Sequence, residues 1–125
     1  MKLRNTLFML TTALLIGGCA VSMPSDSSFT SAEQAIAQAE NAGAEEHSPV
    51  ELRFAREKLS EARYGMEVRD FDAATLLIEQ AEINAELALA RTQAALQRQK
   101  VNDLQSSNDI LLEQMRETFG EEFEL

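Results

Sequence analysis

No proline or glycine occurs between Ala73 and Phe119. These are the two residues that most strongly interrupt a helix, proline by removing a donor and clashing, glycine by its backbone entropy. Nothing local therefore stops one helix from running the whole stretch, and at 1.5 Å per residue it would reach about 70 Å. A chain of 125 residues that commits so much of its length to one rod has few residues left to pack on it. The predicted fold class is all-α. It is an elongated antiparallel helical hairpin, or a small three-helix arrangement, with a long C-terminal helix.

Two apolar patterns run along this last helix. Ala74, Leu77, Ile78, Ala81, Ala85 and Ala88 recur at helical spacing and should pack on the preceding helix. A second stripe is formed by Ile83, Leu87, Ala90, Ala94, Gln97, Val101, Leu104, Asn108, Leu111 and Met115. Its 4-3 spacing is the heptad pattern of a coiled coil, in which a buried asparagine sets register and oligomer number at a cost in stability. Leu87, Ala94, Val101, Leu104, Asn108 and Leu111 are the candidate residues for helix association. A single, frayed and solvated helix end is the alternative for the region around Asn108.

The preceding helix has the clearest start in the chain. Ser48-Pro49-Val50-Glu51 offers an N-cap hydroxyl, a proline at the first helical position and an acid at the third. Leu52, Ala55, Leu59, Ala62 and Met66 follow as one stripe, while Phe54 and Tyr64 lie off it and could reach an earlier helix. Arg53–Glu57 and Arg63–Glu67 are spaced as surface pairs. The link Arg69-Asp70-Phe71-Asp72 is short, so its two helices should be antiparallel neighbours, with Asp72 as cap and Phe71 stapled on Leu76. The first helix is expected from Thr30 or Ser31, each with a capping-box partner (Glu33 and Gln34), and to end near Gly43. Glu45 to His47 reads as a polar connector. The middle helix covers the long one only to about Gln93. The remainder needs another partner, either the first helix continuing in line or another chain, because an isolated helix draws most of its stability from packing.

The N-terminus carries an address. Lys2 and Arg4 precede an apolar run from Thr6 to Ile16, followed by small residues. This is the layout of a secretory signal, and it is too short to cross a bilayer. Ile16-Gly17-Gly18-Cys19 resembles the bacterial lipobox. The resemblance implies lipidation of Cys19, the only cysteine, and cleavage before it, making residues 1–18 a lipoprotein signal peptide. An ordinary signal with a chance cysteine is the alternative. Two or more acyl chains anchor stably. Ala20 in place of the aspartate that favours inner-membrane retention implies the outer membrane, lipid-anchored and facing the periplasm, in a host with two membranes. Residues 19–29, small and polar around Pro24, read as a flexible tether.

Charge removes several classes of function. Without residues 1–18 the 11 basic residues fall to 9 against 21 acidic ones, a net charge of −12. Nucleic-acid binding and polybasic contact with anionic lipid both need the opposite sign. His47 is the sole histidine, and neither HExxH nor a phosphate-binding glycine loop occurs. Glu82 and Glu86 read as surface charges. No catalytic, metal or cofactor residue is assigned, the covalent acyl lipid excepted, and neither nucleic acid nor a small-molecule substrate is expected.

Ser48-Pro49-x-Glu51-Leu52-x-x-Ala55-x-x-Lys58-Leu59-x-x-Ala62, followed by Phe71-Asp72-x-Ala74-x-x-Leu77-x-Glu79-Gln80-Ala81-x-x-Asn84-Ala85-x-Leu87-Ala88, resembles a helical domain of unknown function found in envelope lipoproteins of Gram-negative bacteria. The resemblance covers residues 30–100. It implies location and architecture but no activity. Residues 101–118 then read as a coiled-coil-like extension and 119–125 as an acidic tail. The expected function is a non-enzymatic outer-membrane lipoprotein acting through helix–helix association, with a protein partner or as a homo-oligomer. The alternative is a monomeric adaptor docking a different envelope protein.

Overall fold

The structure is a computed structural model that describes residues 23–120. Residues 1–18, Cys19 and the acidic end from Glu121 lie outside the described residues. Four helices follow in order: α1 Asp26–Asn41, α2 Ala44–His47, α3 Pro49–Glu67 and α4 Phe71–Phe119. The fold is all-α, and it is the three-helix arrangement rather than a bare hairpin.

α1 begins earlier than its capping boxes indicate. Ser25 stands at the N-cap, and Asp26 in the first turn suits the positive helix end. Thr30 is already inside, its hydroxyl donating to the Asp26 carbonyl at 2.9 Å. Ser31 donates instead across to Glu82 at 2.6 Å. Phe29 packs against the core, and that tertiary contact supports the extra turn. The expected tether therefore gives way to helix at residue 26. α1 ends where glycine indicates. Gly43 takes the left-handed conformation (φ 93°), and its N–H donates to the Glu40 carbonyl at 2.9 Å. The expected connector beyond it is one turn of helix, α2, with Ala44 buried.

α3 starts at Pro49 with Ser48 at the N-cap, as its sequence indicates, but the Ser48 hydroxyl makes no capping bond. The residue is buried, and its Oγ has no partner. Leu52, Ala55, Leu59 and Ala62 are buried on one face. Gly65 extends that face toward the turn, where a Cβ would lie 3.2 Å from the Ala74 Cβ, so the two helices converge there. Phe54 and Tyr64 are exposed and do not reach α1. The Arg53 guanidinium lies 5.3 Å from the Phe54 ring centre instead. Arg63 pairs with Glu33 of α1 at 2.6 Å rather than with Glu67.

The cap of α4 is Asp70, not Asp72, and it accepts from the Ala73 N–H at 3.2 Å. Arg69 in the left-handed region (φ 61°) closes the turn two residues early. Phe71 is then the first helical residue, and Leu76 is exposed rather than stapled beneath it.

The cross-helix contacts fix the directions. Ser31 with Glu82 and Gln38 near Glu86 and Leu89 make α1 parallel to α4. Glu33–Arg63 and Glu40–Arg56 make α3 antiparallel to α1, and Glu51–Arg91 makes it antiparallel to α4. α1 thus packs beside α3 along the same stretch of α4, not in line with it. The core between them is narrow. Of thirteen buried hydrophobic residues nine are alanines, the others being Ile36, Leu52, Leu59 and Ile78. Small side chains let three helices approach closely, which is how so short a chain closes a core. On α4 the buried residues are Ala74, Ile78, Ala81, Ala85, Ala88 and Thr92. From Leu96 to Gly120 every residue is exposed.

Candidate helix-association surface

α4 carries two faces on opposite sides. The inner one steps 4-3 through Ala74, Ile78, Ala81, Ala85, Ala88 and Thr92 and is closed by α1 and α3. Continued past Ala95 at the same spacing, it reads Gln99, Asn102, Ser106, Asp109, Glu113 and Arg116. That face turns polar where the bundle ends. Its polar side chains are exposed, and no further helix is needed there.

The outer face behaves differently. Two residues at a helical 100° step put Ile83 and Leu87 half a turn from Ala81 and Ala85. The stripe begins one heptad earlier than the sequence reading placed it, with Leu76 and Gln80, and runs past the bundle to Met115. Its large side chains are all exposed, from 37% at Met115 to 62% at Ile83. Leu87, Ala94, Val101, Leu104, Asn108 and Leu111 fall on this single line and are exposed throughout. The fold aligns them but leaves nothing of the described chain against them. The stripe from residue 76 to residue 115 is about 60 Å long. Leu96, Ile110, Leu112 and Phe119 add exposed apolar surface beside it on the rod.

Charge is distributed to match. The rod beyond residue 95 carries Arg98, Lys100 and Arg116 against Asp103, Asp109, Glu113 and Glu117, so it is close to neutral. The acidic excess belongs to the bundle. There Arg56 bridges Glu40 and Glu45 at 2.6 and 2.8 Å. These two bonds, Glu45 first, hold its guanidinium above the ordinary range, and through them it clasps α1, α2 and α3 at one corner.

Other arrangements offer little chemistry. A shallow groove of about 390 Å³ between α1 and α4 is lined by Ser27, Ser28, Ser31, Thr75, Glu79 and Glu82. Glu82 in it is engaged by Ser31. Among the described residues no group of three or more His, Cys, Asp or Glu is placed to hold a metal ion, and no helix is long and apolar enough to cross a membrane. His47 ends α2, half-buried. Thr92 closes the inner face with a fully buried hydroxyl that has no partner. A search for apolar periodicity passes over it because it is polar.

A family described as a domain of unknown function (DUF4398) matches residues 27–104. The chain belongs to this family. The DUF4398 region takes in all of the bundle but the first residue of α1, and the first turns of the rod, through Leu104, so it includes the point where the inner face turns polar and the outer one stays apolar. The rest of α4, residues 105–119, extends beyond it. No curated protein and no solved structure matches the chain.

Proposed function

We propose that this DUF4398 protein is a non-enzymatic lipoprotein of the outer membrane that faces the periplasm and works as a structural module through helix–helix association. The observation that carries the reading is the outer stripe of α4, apolar along a length the protein's own helices leave uncovered. Contiguous exposed apolar surface of this kind marks interaction sites. The address rests on Ile16-Gly17-Gly18-Cys19 and the signal-like residues before it. Covalent acyl lipid on Cys19 is the only non-protein group this role requires.

The fold gives such an anchor a sensible geometry. α1 starts at Asp26, seven residues after Cys19, and at the same end of the bundle as the start of α4, where Ser27 and Ser28 adjoin Thr75. An anchored molecule would hold its bundle near the membrane and point the rod tip away from it. A second reading, an adaptor that docks a different envelope protein, draws on Ile110, Leu112 and Phe119, which make the rod tip wider than a two-stranded seam requires.

The test has two arms in cells. The wild-type chain should fractionate with the outer membrane and Cys19→Ser should be released from it. A photo-crosslinking residue at position 104 should give a protein adduct, while one at position 113, on the polar side, should not. Equal fractionation of both chains would remove the anchor, and absence of any adduct at position 104 would remove the association.

A further inference from the structure

We infer that the outer stripe of α4 is covered by a second copy of this chain, packed parallel and in register from Leu76 to Met115, with Asn108 facing Asn108 of the other copy. The inference rests on the reading of that stripe as an association surface and adds the occupant and its direction.

The sequence of layers argues for a parallel pair. On the rod, β-branched Val101 at the first heptad position and Leu104 and Leu111 at the fourth stand where parallel dimers prefer them, whereas Ile83 and Leu87 within the bundle stand in the opposite order. In register, each polar layer meets its own kind: Gln80 with Gln80, Gln97 with Gln97, Asn108 with Asn108. A shift of one heptad would set Asn108 against Val101 or Met115 and leave a buried amide without a partner, which is costly.

Charge and area agree. Glu86 and Arg91 flank the seam at the positions that meet across a parallel pair, so each copy offers the other an ion pair on both sides. Arg91 is already steadied by Glu51 of its own α3. Seven large side chains on the stripe are 37–62% exposed. Two such faces would bury on the order of 1,200 Å² together, at the lower edge of what a stable interface uses. The inner face plays no part in this, since α1 and α3 lie on the opposite side of α4 and leave the seam open along its length.

An antiparallel pairing is the direct competitor. Centred between residues 102 and 103, it sets Asn108 against Gln97 and Met115 against Ala90, but it leaves Leu76 and Ile83 uncovered and loses the Glu86–Arg91 pair.

Single cysteines decide between them. In the full chain carrying Cys19→Ser, the engineered thiol is the only one. Met115→Cys and Ile83→Cys replace exposed residues, so neither threatens the bundle. Under mild oxidation each should convert most of the chain to a disulfide-linked dimer, and Glu113→Cys should do so about tenfold less, because a disulfide needs Cα atoms within about 7 Å. Silence from Met115→Cys together with ready linking of the Ala90→Cys/Met115→Cys double variant would overturn the parallel register. If no variant links while a photo-crosslinker at position 104 captures a different protein, the second copy is wrong and the association reading stands. If neither gives a product, both are wrong.

Discussion

The first 25 residues of α4 and the last 24 belong to one uninterrupted helix, yet they are built on opposite plans. Within the bundle the side chains that are buried are mostly alanines, and large ones such as Leu76 and Ile83 point outward. Beyond it the inner face becomes Gln99, Asn102, Ser106 and Asp109, while the outer face keeps Val101, Leu104 and Leu111. A helix that merely outgrew its bundle would turn polar on all sides. Here only the side already used turns polar. The difference is what points the proposed association to the outer face, with the bundle as its support.

Substitutions that strike one region and spare the other separate the two plans. The largest effect belongs to Leu52→Ala, which removes a fully buried side chain and should cost about 2–5 kcal/mol in urea denaturation. At concentrations where the chain is monomeric, Leu104→Ala on the rod should leave bundle stability within about 0.5 kcal/mol. A comparable loss from both would mean that the rod is part of the bundle's core.

Next comes the same substitution made on the two sides of α4. Ala85 is fully buried, and Ala85→Leu should destabilise by about 1–3 kcal/mol, because close helix approach leaves no room for the added carbons. Ala94→Leu, exposed on the outer stripe, should cost the bundle nothing measurable, since the two residues have nearly equal helix propensity. Thr92→Val removes the orphaned hydroxyl at the end of the inner face and should stabilise by about 1 kcal/mol. A loss instead would mean that the hydroxyl is bonded in solution. Among the changes to the bundle itself, Arg56→Ala should cost least, below about 1 kcal/mol, because its two ion pairs are solvent-exposed.

Local periodicity made α3 and the extent of α4 legible in the sequence. The Leu52–Ala62 stripe, Gly43 and the absence of breakers after Ala73 each act through their own backbone or a single helix face. What escaped depends on contacts between distant residues. α1 gains its first turn from the packing of Phe29, which no capping rule contains. The cap of α4 moved to Asp70 because Arg69 adopts a left-handed backbone, an option a bulky residue rarely takes. Arg63 chose Glu33 over the local Glu67 because α1 lies alongside α3. Of the candidate surface, all six residues were legible as one line. Its beginning at Leu76 is hidden in the sequence because Leu76 adjoins Leu77 and Ile78 and does not stand out as part of a stripe, and its position opposite the core follows only from the location of α1 and α3.

Hydrogen exchange along α4 reads out whether the outer stripe is a covered surface when the protein is assembled. The comparison is between the wild-type full chain and Leu104→Asp, which places a charge on the stripe without touching the bundle. Wild-type amides from residue 96 to 115 should be protected to a degree approaching those of residues 78–92, and Leu104→Asp should release the rod alone, as expected for a helix deprived of its packing. Rod amides that exchange rapidly and identically in both proteins, beside a protected bundle, would contradict that coverage.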